Sequence, residues 1–165
     1  MKKILLFSLC SILALIANAQ NAKPSKEETQ KFLVSMLKGA LGKDVNDGIY
    51  TLTKQSFSND FDSYSSLTVT DRGTTDGDEV SLIDWAKLDM KYLVNQFGSK
   101  DVIQFSCYFK NKIKVVNTDI FGNVKTKMKD SFDFYVPTEK EESVWKACVR
   151  LRDLAKEETK DPFAN

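Results

Sequence analysis

The chain has 165 residues, 42% of them hydrophobic, with 24 basic against 23 acidic side chains and no histidine. That length suits one domain with a core large enough to stand without metals or many disulfides. The near-zero charge gives no reason to expect nucleic acid as a partner, and the missing histidine removes Ser-His-Asp and Cys-His nucleophilic sites, His-containing zinc sites and imidazole bases.

Residues 1–19 read as a secretory signal peptide. Lys2 and Lys3 form a positive start, Ile4 to Ile16 an apolar run, and Ala17-Asn18-Ala19 a small-x-small cleavage site. The run is shorter than the roughly 20 residues that span a bilayer. Cys10 sits in mid-run behind Phe7, Ser8 and Leu9, which is not the setting of a lipidated cysteine. The expectation is cleavage after Ala19 and a periplasmic or secreted domain over 20–165, with no stable membrane insertion after cleavage. Loss of the two leader lysines leaves 22 basic against 23 acidic side chains.

Ser25-Lys-Glu-Glu28 is a capping box, and the helix it opens carries Leu33, Leu37, Ala40 and Leu41 on one stripe up to Gly42. Asn46-Asp-Gly48 is a turn. Ile49 to Phe57 and Tyr64 to Thr70 read as strands, and Asp71 to Glu79 as a loop. Val80 to Phe97 fits two periods. Leu88, Met90, Tyr92 and Val94 alternate like a strand. Leu82, Ala86, Met90, Leu93 and Phe97 recur like a helix, with Asp84 as its cap and Gly98 as its stop. Val102–Phe109 and Lys112–Asp119 are predicted strands joined at Lys110-Asn111. Phe121-Gly-Asn123 turns the chain into a long strand, Val124–Val136. Thr138-Glu-Lys-Glu141 is a second capping box, opening a helix from Glu139 to about Glu158.

The fold class is therefore α+β, a mainly antiparallel sheet or partly closed barrel with an N-terminal and a C-terminal helix packed on it. If 80–97 is a strand, the element order over the mature chain is similar to that of a pleckstrin-homology-like barrel with an added N-terminal helix. No motif residue supports that resemblance, so it implies no lipid or phosphotyrosine ligand.

Two cysteines remain after cleavage. Cys107 alternates with Phe105 and Phe109, and Cys148 falls on a helical stripe with Val144, Leu151 and Ala155, so both face apolar surface. Export makes a Cys107–Cys148 disulfide one expectation and two buried thiols the other. Lys110, Lys112 and Lys114 alternate along one strand, and Lys125, Lys127 and Lys129 along the next. A two- or four-residue turn puts all six on one face, where carboxylates such as Asp133, an anionic ligand, or water and salt must offset them. Lysines also guard sheet edges against pairing. Trp85 and Trp145 fit the rim of the core or a contact surface.

Catalytic patterns are thin. Ser-x-x-Lys occurs at Ser35–Lys38 and Ser143–Lys146 without the Ser-Asp-Asn or Lys-Thr-Gly elements that accompany it in acyl-transfer enzymes. Asp60 and Asp62 read as a turn rather than a carboxylate pair, and Asp71, Asp76, Asp78 and Glu79 lack calcium-loop spacing. No residue set asks for a cofactor or metal. The sequence expectation is a non-enzymatic exported binding or structural module for a protein or envelope component. A small apolar-ligand carrier is the alternative, and a carboxylate-based hydrolase the remote one.

Overall fold

The computed structural model describes residues 23–96 and 100–160. The leader over 1–19, Phe97, Gly98 and the tail over 161–165 lie outside the described residues. Helix α1 spans Lys26–Gly39. Its capping box is formed as expected: Glu28 N–H donates to Ser25 Oγ at 3.2 Å, and Ser25 N–H donates to Glu28 Oε2 at 2.8 Å. Seven strands come next, β1 (Asp44–Val45), β2 (Tyr50–Phe57), β3 (Tyr64–Thr70), β4 (Thr75–Ser81), β5 (Leu88–Asn95), β6 (Val102–Thr118) and β7 (Val124–Pro137), before helix α2 (Glu141–Glu158). All neighbouring strands pair antiparallel in one open sheet of order β1-β2-β3-β4-β6-β5, with β7 on the other edge of β6. The α+β class and the two flanking helices are as the sequence implied. The likeness to a pleckstrin-homology-like barrel goes no further than element order, because β4 bonds to β6 and skips β5.

Three local expectations change, and one left open is resolved. The loop over Asp71–Glu79 is a tight turn leading into strand β4. Thr70 N–H donates to Thr74 O at 2.8 Å, and β4 is then bonded on both sides, to β3 and β6. Ladder pairing overrides the poor strand propensity of its aspartates. Over 80–97 the strand period prevails: β4 runs to Ser81, Asp84 caps a single 3₁₀ turn at Trp85–Lys87, and β5 begins at Leu88. The break at Lys110-Asn111 is instead a wide bulge inside the continuous strand β6. Tyr108 pairs with Ser131 and Ile113 with Lys129, so β6 spends five steps where β7 spends two. Finally, Thr138 caps no helix. Its hydroxyl donates to Lys100 O at 3.0 Å and its N–H to Asp101 O at 3.0 Å, so α2 starts at Glu141 after a 3₁₀ turn.

The bulge lets the β6–β7 hairpin serve two halves of the sheet. Its proximal half (Val102–Tyr108 with Ser131–Pro137) also pairs with β5, and its distal half (Ile113–Thr118 with Val124–Lys129) also pairs with β4. The two helices pack on each other, α1 against β7 and β2, α2 against the 3₁₀ turn before β5. Between helices and sheet lies an aromatic interior in which Phe57, Phe61, Tyr64, Phe132 and Phe134 hold ring centroids 4.6–6.3 Å apart. Trp85 is buried, with Nε1 donating to Phe61 O at 2.7 Å, and Trp145 stacks at the core rim on Tyr92 at 4.7 Å. Both tryptophans belong to the packing.

One buried polar side chain fastens three elements. Gln55 on β2 donates through Nε2 to Leu37 O of α1 and Tyr135 O of β7, each at 2.8 Å. Its Oε1 accepts from Tyr64 Oη at 3.0 Å and Tyr135 N–H at 3.1 Å. The carboxamide thus meets both backbone groups of Tyr135 as a neighbouring strand would. It also takes up a carbonyl of the last turn of α1.

Candidate functional site

The distal β6–β7 arm ends in the turn Asp119–Asn123. Asp119 N–H donates to Asn123 O at 3.0 Å and Gly122 N–H to Asp119 O at 2.8 Å, with Gly122 at φ +78°. This is a three-residue hairpin loop, a type I turn closed by a residue in the left-handed region that glycine adopts without strain. The Asp119 carboxylate fastens it, accepting from Phe121 N–H, Asn123 N–H and Asn123 Nδ2 at 2.9–3.0 Å. Those bonds from Asn123 and Phe121 hold its carboxyl below the usual range.

The odd loop length decides where the lysines go. Residues directly opposite in a ladder share a face. Lys125, Lys127 and Lys129 stand opposite Asn117, Val115 and Ile113, whereas Lys114 stands opposite Met128 on the other face. The six lysines are therefore not brought together. Lys125, Lys127 and Lys129 form one file on the face of Val115 and Asn117, Lys114 lies on the opposite face, and Lys110 and Lys112 fall within the bulge. All six are exposed, and among the described residues none forms a salt bridge. Asp133 does not offset them; it accepts from Gln104 Nε2 at 3.4 Å. Among the described residues β7 pairs only with β6, so the distal strand presents a free edge, with Val124 and Met128 exposed on the face opposite the lysine file and Phe121 exposed at the tip.

Beside the lysine file the same face becomes acidic. A shallow recess of about 180 Å³ is walled by the three lysines, Val115, Asn117 and Asp78. Asp78 and Asn117 also line an adjoining cleft of about 260 Å³ with Asp76, Asp133, Gln104, Tyr135, Ser66 and Thr68. Asn117 Nδ2 donates to Asp76 at 3.1 Å and Asp78 at 3.2 Å. Burial pushes the Asp78 carboxyl up, opposed by the Asn117 bond and the Lys129 charge and reinforced by Asp76 and Asp133. Burial beside the same aspartates raises the Tyr135 phenol to about 12. The described residues hold no group of three or more His, Cys, Asp or Glu side chains placed to bind a metal.

The alternation of Asp76, Asp78 and Val80 carried the sequence signal for this cleft, hidden by the glycine and acidic residues around it. Gln55, Gln104 and Tyr135 gave none, since a lone polar residue in a strand reads as solvent-facing. Asp60 and Asp62 sit in a turn, as expected, with Ser58 Oγ donating to Asp62 at 2.7 Å. The cysteines do meet: Cys107 and Cys148 are both fully buried, with sulfurs 4.0 Å apart. Compared with protein-family models, with curated proteins and with solved structures, the chain has no match.

Proposed function

We propose that this chain is an exported, non-enzymatic binding module that holds an anionic protein segment or envelope polymer along the Lys125–Lys127–Lys129 file. The observation that supports it is that file itself: three like charges at alternate residues of a free-edged strand, with no protein carboxylate in ion-pairing distance among the described residues. Lysines that served only as edge guards need no shared face. These share one, beside a recess walled by Val115, Asn117 and Asp78. The interior gives the apolar-carrier alternative no support, because aromatic rings occupy the space between helices and sheet.

Binding of the chain to poly-glutamate, to an acidic polysaccharide and to anionic phospholipid vesicles at low ionic strength tests this reading. Removing three exposed charges at about 0.5 kcal/mol each weakens binding by about tenfold. K125Q/K127Q/K129Q is expected to show that loss and a flatter salt dependence, and K110Q/K112Q/K114Q a smaller one. Equal retention of wild type and both variants on every surface refutes it. One observation favours a second reading, hydrolysis by carboxylates: Asp76, Asp78 and Asp133 line one cleft. Turnover of a glycoside or ester substrate that D78N abolishes replaces the binding-only reading.

A further inference from the structure

We propose that Cys107 and Cys148 are partners in a disulfide that staples α2 to β6, formed by exchange with a disulfide oxidant before α2 docks. Cys107 lies in the proximal half of β6, between Tyr92 of β5 and Phe132 of β7. Cys148 is on the buried stripe of α2 with Val144, Ala147 and Leu151. The sulfurs already face each other at 4.0 Å, and a disulfide of about 2.05 Å asks them to close by about 2 Å, shared between two side-chain rotations. Both belong to the same buried apolar cluster.

Burial fixes the order of events. Both cysteines have 0% exposure in the folded chain. Burial and the neighbouring Cys148 also raise the Cys107 thiol, so it stays protonated and a poor nucleophile once folded. Exchange therefore precedes docking. One cysteine thiolate attacks an external disulfide, forming a mixed disulfide and expelling one thiolate. The second cysteine thiolate attacks the protein sulfur of that mixed disulfide, expelling the other. Two protein thiols are oxidised to one disulfide, one external disulfide is reduced to two thiols, and the two protons released by the cysteines end on those thiols. After docking the bridge is sealed from reductants by the core that surrounds it.

The test is refolding of the full chain from denaturant in a glutathione buffer rich in the oxidised form, then alkylation in denaturant without reductant and peptide mapping. The expected result is a linked peptide pair carrying Cys107 and Cys148, with neither sulfur alkylated. Oxidised wild type is then expected to unfold at higher urea than the same protein reduced, with an unfolding constant lower by about a hundredfold or more. This comparison uses no cysteine variant that might misfold. Two alkylated sulfurs after oxidative refolding, a link from Cys10 to either in its place, or an oxidised form no more stable than the reduced one overturns the proposal. None of these readouts depends on what the lysine file binds.

Discussion

Replacing Gln55 by leucine tests directly the side-chain link from β2 to β7 and α1. The substitution keeps nearly the same volume in a site only 5% exposed and removes four hydrogen bonds, two donated to carbonyls and two accepted. At a net of about 1 kcal/mol each these are worth about 4 kcal/mol. The exchange of a buried amide for an aliphatic group returns about 1 kcal/mol, so Q55L is expected to destabilise the domain by about 3 kcal/mol. With a urea slope near 2 kcal/mol/M the midpoint falls by about 1.5 M. Y64F removes one of the four bonds and is expected to cost about 1 kcal/mol alone. In the Q55L background the Tyr64 hydroxyl has already lost its Gln55 acceptor, so the second change costs little, a coupling of about 1 kcal/mol in a double-mutant cycle. Urea unfolding of the four proteins at neutral pH measures it. A Q55L loss below about 1 kcal/mol, or strict additivity with Y64F, refutes the idea that this carboxamide stands in for a strand.

The same geometry sets three further outcomes. A carboxyl whose folded pKa is raised, as that of Asp78 is, holds its proton more tightly folded than unfolded, so its ionisation costs stability as pH rises through the carboxylate range. D78N is therefore expected to be more stable than wild type at neutral pH and equal to it once the pH is below about 3; urea midpoints at the two pH values decide it. The raised phenols of Tyr64 and Tyr135 favour folding while protonated, and that stability is lost as pH climbs above about 10, where unfolded tyrosine ionises; Y135F should flatten this alkaline loss in unfolding curves. S25A removes the reciprocal cap of α1 and is expected to cost about 1 kcal/mol by thermal or urea unfolding, with S25G costing less.

Much of this architecture is legible in local chemistry. The Ser25 cap, the β3 boundaries at Tyr64 and Thr70, and the inward facing of Phe105, Cys107, Phe132, Phe134 and Cys148 all derive from spacing on one element, where side-chain direction is fixed by period alone. What escapes is set by partners distant in sequence. β4 is a strand because β3 and β6 satisfy its backbone from both sides, although Asp76, Gly77 and Asp78 favour a loop. Thr138 has the residues of a capping box but spends its hydroxyl on Lys100 O. The lysine faces turn on whether the hairpin loop holds an odd or even number of residues, and Phe121-Gly-Asn123 does not reveal that Asp119 and Asn123 close it around three. The acidic cleft draws its walls from strands β1, β2, β3, β4, β6 and β7, so no single stretch displays it.

Two buried contacts lie at the proximal half of the hairpin and leave its distal half outside them. Gln55 fastens α1 to β2 and β7, and Cys148 of α2 meets Cys107 of β6; both lie at the proximal half of β6–β7, where Phe132, Phe134 and Val136 are buried. Beyond the bulge the hairpin carries only Ile113 and Val115 into the core, and its β7 side is exposed from Val124 to Asp130. Substitutions there leave the packed base untouched, as the small effects typical of exposed sites imply. A lysine file on such an arm can therefore be altered, or occupied, at little cost to folding. A partner bound along it should slow hydrogen exchange in the distal strands and leave the proximal half, already protected by packing, unchanged.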